Sequence, residues 1–256
     1  GLTKFRELRP FFVKDATRET CMCIYHLRWS EYANSAAARW PATHLSAAPP
    51  GPERTPERGQ GYSMGKVELE RMFTDAAEAH GEWDCIRVCP ADNVGPILSA
   101  HQKDMGPWQH NIEMMLLGKY YQTGAYRPWM TVDVRDDAEC HIRLLENVNV
   151  KNGERYIAWS TDRRDVEDVC ASIDRLLPEL GHATPDVTNN FPERIQAREA
   201  EMRAIWAGCE LRNDRICEMT GMRFRSLDES IRDCVESLLA VAKVKPSLRQ
   251  GFEPIN

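Results

Sequence analysis

Between positions 62 and 80, apolar side chains return at mixed three- and four-residue steps among charged ones: Met64, Val67, Met72, Phe73, Ala76 and Ala77. Such spacing is the mark of an amphipathic helix, and Gly81 stops it. A different rhythm follows. The run Cys85, Ile86, Arg87, Val88, Cys89 reads as a strand closed by Pro90, and 92–96 as a turn. Helical spacing resumes over 111–117, ended by Gly118, and 130–134 is the next strand. This strand leads into a helix over 136–146, with Asp136 or Asp137 near its N-terminus, where a carboxylate favours the exposed N–H groups. Asn152 and Gly153 turn the chain into a strand over 155–159. A helix over 162–177 carries Val166, Val169, Ile173, Leu176 and Leu177 on one stripe, with Pro178 after it. Two more helices are expected at 193–208 and 227–243, the latter capped by Ser226 or Asp228.

Upstream of position 62 the pattern is weaker. A strand-like patch occupies 21–25, and the stretch 41–61 is so rich in Ala, Pro and Gly that it holds neither helix nor central strand, which makes it a surface loop. Helix and strand alternate from 62 onward, the order of βαβ units. The expected fold is therefore α/β, with a mainly parallel sheet covered by helices on both faces. No internal repeat interrupts that reading.

Charge and composition then remove several function classes. Of 256 residues, 42% are hydrophobic and 28% charged, with a formal charge of −6 spread over both signs. No basic stripe could follow a phosphate backbone, so no nucleic-acid partner is expected. No apolar run reaches the roughly 18 residues of a membrane span, and the basic first ten residues lack the apolar segment of a signal peptide. A cytoplasmic protein is expected. The nine cysteines form no CxxC pair and no His/Cys cluster with zinc spacing, so reduced structural thiols are expected, without disulfides or metal.

Chemistry is concentrated at the start of the helix over 62–80. Tyr62 and Lys66 stand four residues apart, on one face and within reach of a shared ligand. A free phenol titrates near about 10 and is a poor acid at neutrality; a neighbouring ammonium favours the phenolate and lowers that value. Proton transfer to a carbonyl oxygen, as hydride reaches its carbon, is the reaction that uses such a pair. The spacing alone is common, so its surroundings decide.

Those surroundings carry a resemblance. Tyr62-Ser-Met-Gly-Lys66 with Glu68 and Glu70, then Ile86-Arg-Val-Cys-Pro-Ala-Asp-Asn-Val-Gly-Pro96, then Met130-Thr-Val-Asp-Val-Arg-Asp-Asp-Ala138 and Gly153-Glu-Arg-Tyr-Ile157 follow one another in order over 62–177. This resembles the extended short-chain dehydrogenase/reductases (the NAD-dependent epimerase/dehydratase superfamily), in particular the dihydroflavonol-reductase-like branch, whose pattern runs YxxSK, NPxxxxGP, FVDVRDVA, GERY. The resemblance implies a Rossmann-like sheet with a smaller, mostly helical C-terminal substrate lobe. It places a partial dinucleotide-binding region at 1–96 and the lobe at 97–256, with 128–160 returning to the sheet. It implies NADP or NAD as cofactor and a ketone, aldehyde or secondary alcohol as substrate, and it allows a homodimer.

Residue by residue, the resemblance makes Tyr62 the general acid and Lys66 the group that bonds the nicotinamide ribose and tunes the phenol. Pro90 and the backbone of Ala91, Asp92, Asn93 and Val94 would line the nicotinamide carboxamide. The segments 97–129 and from 161 onward would close over the substrate. A serine about thirty residues before the tyrosine would polarise the carbonyl; Ser30 has that distance, with Ser35 behind it.

Departures from the pattern bear on activity. Cys89 stands where the family has asparagine, and Gly65 where it has serine. Neither GxxGxxG nor GxGxxG occurs, although this fold cradles its pyrophosphate on such a turn. Two outcomes therefore stay open: a reductase whose glycine-rich front end lies outside this sequence, or an inactive fragment or relative kept as a binding or interaction module. Elsewhere, Asp133, Arg135 and Asp136 read as an ion-pair and capping set rather than a second site. His26, His101, His110, His141 and His182 lack ligand spacing, with His101 and His110 in the lid segment. Met105, Trp108, Met114, Met115, Tyr120, Tyr121 and Trp129 read as core before ligand cage.

Overall fold

A computed structural model describes residues 13–15, 18–24, 61–81, 83–101, 107–118, 129–182, 207 and 210–246, with side chains from position 65 onward. The expected helix at 193–208 lies outside the described residues but for position 207. The chain divides into two compact units: Gly1–Pro90, Ala138–Ala158 and Asp214–Met222 form the first, and Ala91–Asp137, Trp159–Asn213 and Arg223–Asn256 the second.

In the first unit, β1 (Val13–Asp15) and β2 (Arg18–Ile24) pair antiparallel, and β2, β3 (Trp83–Pro90) and β6 (Arg155–Ala158) are parallel, in the order β1-β2-β3-β6. The chain between β2 and β3 contains α1 (Gly61–His80), which makes a βαβ crossover. Helix α1 thus takes in the last residue of the Pro-rich stretch. Strand β3 is central, and Cys85, Ile86, Val88, Cys89 and Pro90 are all buried. A parallel strand covered on both faces needs such a near-continuous apolar run. Ala77 and Cys85 form a small core with Leu69, Phe73 and Trp83 packed against it. At 152–153 the expected turn is tied to β3: Asn152 Oδ1 accepts the Cys85 N–H at 2.7 Å, and the Gly153 N–H donates to the Cys85 carbonyl at 2.8 Å.

The sequence pattern held no sign of the short helix α5 (Asp214–Thr220); seven residues are too few for a period to register. Side chains hold its C-terminal end: Arg143 Nη1 donates to the Thr220 carbonyl at 3.0 Å and Asn147 Nδ2 to that of Met219 at 2.7 Å. These donors satisfy carbonyls that a helix end leaves unpaired.

The second unit is built around β4 (Asp92–Val94), which pairs parallel with β5 (Thr131–Asp133). Positions 92–96, read as a turn, therefore begin as a strand; the partner lies almost forty residues away, and no local pattern announces it. Three helices share one apolar core: α2 (Pro107–Leu116), α4 (Val166–Glu179) and α6 (Leu227–Ala240). They meet through Ile112, Met115, Leu116, Ile173, Leu177, Ile231 and Leu238, each 2% exposed or less. Between β5 and β6 runs α3 (Val134–Glu146), whose residues 134–137 belong to the second unit and 138–146 to the first.

Several boundaries differ from the sequence pattern for local reasons. Helix α3 starts two residues early because the Asp133 carboxylate accepts the Arg135 N–H at 2.9 Å, the act of a cap. Helix α4 starts at Val166, since the preceding residues form the Trp129↔Arg164 bridge. It continues through Pro178 to Glu179, and Gly181, at φ +79°, closes it with its N–H on the Pro178 carbonyl. Helix α6 begins as expected: Ser226 Oγ accepts the Glu229 N–H at 3.3 Å, and the Glu229 carboxylate accepts the Ser226 N–H at 2.9 Å. Among the described residues, no helix is long and apolar enough to cross a membrane.

Gly95 follows β4 at φ +138°, and a Cβ there would meet Val134 Cγ2 at 3.1 Å and both Asp133 carboxylate oxygens at 3.2 Å. Only glycine adopts that backbone without strain. Gly95→Ala is therefore expected to lower stability by about 2 kcal/mol, read as a shift of the urea midpoint with an unchanged slope.

Candidate active site

Positions 62, 66, 70, 73 and 77 of α1 follow one another at helical steps of three and four, so they share one stripe. The contacts of that stripe give the direction of the helix. Ala77 lies in the small core with Cys85, while two turns nearer the N-terminus Glu70 reaches Arg87. As α1 is followed backward, β3 is followed forward; the two run antiparallel. Lys66, half-buried, is one turn beyond Glu70, toward the end where β3 closes with Cys89 and Pro90. Helix α1 thus delivers Lys66 to the carboxyl end of the parallel strands, where open α/β sheets bind their ligands.

Glu70 is 8% exposed. Its Oε2 accepts from Arg155 Nε at 3.1 Å and from Arg87 Nη1 at 3.4 Å, and its Oε1 from Arg155 Nη2 at 3.4 Å. The arginines are direct neighbours across the parallel pair β3/β6, Arg87 opposite Arg155. Like charges in that position repel, and a single carboxylate from α1 bridges them. Arg87 Nη2 also donates to the Gly153 carbonyl.

Cys89 is buried beside this cluster. Burial pushes its thiol up to about 12, against the opposing pull of the Arg155 guanidinium. It stays protonated at neutral pH and supplies no thiolate nucleophile. Burial raises Cys170 and Cys234 in the same direction.

In the second unit, Ala91 and Val94 are buried, and Asn93 Nδ2 donates to Asp137 Oδ2 at 3.1 Å. Asp133 is the polar centre of this unit. Its side chain is fully enclosed and accepts from Arg135 Nε and Nη2 and from Ser230 Oγ, each at 2.8 Å. Burial by itself would raise this carboxyl, but the Arg135 and Ser230 donors outweigh it and hold it below the usual carboxylate range. Asp136 is raised, with burial outweighing its bonds from the Arg225 backbone and guanidinium. The ion-pair reading of Asp133, Arg135 and Asp136 matches these partners.

Lys66 and Pro90 therefore lie in the first unit, and Ala91, Asp92, Asn93 and Val94 in the second. For Tyr62 the backbone position on α1 is described; Ser30 and Ser35 lie outside the described residues. His101 is exposed, and His110 is a half-exposed side chain 3.4 Å from Glu113. Trp108 and Trp129 meet edge-to-face at 4.5 Å within the apolar core, so they pack rather than line a cage. The pattern of the sequence missed Arg87 and Arg155 as partners of Glu70. Their one signal was a charged residue at an inward position of a buried strand, which needs a counter-charge.

By sequence, no protein-family profile and no curated protein matches the chain. Solved structures do match it by shape. Yeast methylglyoxal/isovaleraldehyde reductase Gre2, complexed with NADPH, superposes at a TM-score of 0.52 and 20% identity, over 71% of this chain and 50% of that one. RMD from Pseudomonas aeruginosa, complexed with NADPH, gives 0.55 and 16%, over 86% of this chain and 66% of that one. WbmF from Bordetella bronchiseptica, in complex with NADH, gives 0.51 and 17%, over 71% and 54%. The chain has a Rossmann-like fold. It spans about half the length of the yeast Gre2 structure. In this Rossmann-like sheet, β2, β3 and β6 are the parallel strands, and Lys66 and Pro90 stand at their carboxyl edge.

Proposed function

We propose that this chain belongs to an NAD(P)-dependent oxidoreductase of the extended short-chain dehydrogenase/reductase type, acting on a ketone, aldehyde or secondary alcohol. The observation that carries the reading is the placement of Lys66 on the stripe of α1 that brings Glu70 to Arg87, one turn nearer the carboxyl end of β3. The NADPH- and NADH-bound structures of the same fold support it. We assign 1–96 to the dinucleotide side and 97–256 to the substrate lobe, with 128–160 returning to the sheet, and we place the enzyme in the reducing cytoplasm.

Lys66, half-buried one turn beyond Glu70, is our choice to bond the ribose hydroxyls of a nicotinamide nucleotide, and Pro90 and the backbone of Ala91–Val94 are our choices for its carboxamide. What the dinucleotide supplies when bound is a hydride for the carbonyl carbon. Tyr62, one turn before Lys66, gives its phenolic proton to the carbonyl oxygen, and the product is the alcohol. The Lys66 ammonium stabilises the phenolate left behind, which then takes a proton from solvent. Ser30 is our choice to hold the carbonyl oxygen beforehand.

Calorimetric titration of the 256-residue chain with NADPH and NADH tests this, and the stronger heat identifies the coenzyme. Micromolar binding that weakens about tenfold in Lys66→Ala is the expected result, the loss typical of one charge-assisted bond. A folded chain that takes up neither coenzyme is a fragment or an inactive relative, and sinks the reading for these 256 residues.

A further inference from the structure

We infer that Glu70 is a positioning residue for Lys66: by bridging the in-register guanidinium pair Arg87 and Arg155, its carboxylate fixes which face of α1 meets the carboxyl end of the sheet. This rests on the reading of Lys66 given above.

The geometry has three parts. Arg87 and Arg155 are paired residues of adjacent parallel strands, with side chains only 15% and 16% exposed. Two guanidiniums so placed repel and are poorly hydrated, so whichever element covers them must bring an anion. Glu70 is that anion, bonded to both at 3.1–3.4 Å. Apolar contacts alone, here Leu69, Phe73 and Ala77, are non-directional and would let α1 slide or roll by a fraction of a turn. A carboxylate caught between two forks tolerates no such shift. Lys66 is one turn away on the same stripe and in the same rigid helix, so its ammonium takes its place from Glu70. The Thr74 hydroxyl, bonded to the Glu70 carbonyl at 2.8 Å, adds a tie on the same turn.

The test is a double-mutant cycle on coenzyme affinity, with a second readout that needs no coenzyme. Glu70→Gln and Lys66→Ala are each expected to raise the NADPH Kd about tenfold, and the double variant no more than about tenfold, because the same interaction is lost once. Losses that multiply to about a hundredfold would overturn the inference and leave Glu70 a scaffold residue. In the second arm the lysines are 13C-dimethylated, and the Lys66 resonance is assigned by its absence in Lys66→Arg. Glu70→Gln should move that resonance, whereas Phe73→Leu, which loosens α1 without touching the arginines, should not. Equal movement in both variants, or none, counts against Glu70. If Glu70→Gln fails to fold, Glu70→Gln with Arg155→Met removes the repulsion along with the bridge, and the same two readouts apply. A chain that binds neither coenzyme fails the functional reading, and the resonance arm then decides Glu70 by itself.

Discussion

Tyr62→Phe is expected to cut the rate of carbonyl reduction by about 10³-fold, the usual contribution of a placed general acid, while the Kd for NADPH changes less than about twofold. The variant removes one oxygen and leaves the ring. Position 62 heads the stripe that continues through Lys66 and Glu70 to Ala77, one helical turn before Lys66. Single-turnover reduction with saturating coenzyme is the measurement, since it isolates chemistry from release. Full activity in Tyr62→Phe would show that another group carries the proton. A parallel loss of coenzyme binding would show that position 62 holds the cofactor or the helix rather than the proton.

Asp133→Asn should cost the second unit about 2–3 kcal/mol at neutral pH, most of it from leaving the Arg135 and Ser230 donors without an anion. The figure lies below that for a fully enclosed pair because the Arg135 side chain is 37% exposed and partly screened. The loss should depend on pH. Asp133 has a folded value below the ordinary one near about 4, so its stabilisation is fully present above that value and disappears as pH falls through the lower, folded one. The difference between parent and Asp133→Asn in urea melts should therefore be largest at pH 6–7 and shrink toward pH 2–3. Asp136, raised by burial, works in the opposite sense, which is why the comparison between variants, rather than the parent's own acid midpoint, isolates Asp133. A pH-independent difference would assign the cost to packing.

The elements that were legible in the sequence are those whose periodicity is set by one buried face. The stripe of α4 and the apolar run of β3 each record, residue by residue, a surface that must leave water, whereas in α1 two of the apolar residues counted, Met72 and Ala76, face solvent. Ser226, one of the two caps the sequence offered beside Asp228, marks the start of α6, and the structure adds Glu229 as its partner in a capping box. What could not be read was pairing over distance. Strand β4 looks like a turn until β5 is beside it, and the helix over Asp214–Thr220 is defined by the Arg143 and Asn147 side chains that hold its end. The bounds of α3 and α4 moved for the same reason, since a carboxylate or a bridge outside the periodic segment fixed where each helix began.

The site divides along the same line. The sequence by itself determined the chemistry on offer: a phenol and an ammonium one helical turn apart, followed by a strand that ends in proline, because those relations need only local geometry. Tertiary structure alone decided which end of the sheet receives them, since antiparallel packing of α1 on β3 is fixed by contacts between residues up to 85 positions apart. It also decided that Arg87 and Arg155 share a carboxylate. A sequence displays two arginines and a glutamate as ordinary surface charges, and only strand register and burial turn them into a bridged pair, because the repulsion that demands the bridge does not exist until the strands lie side by side.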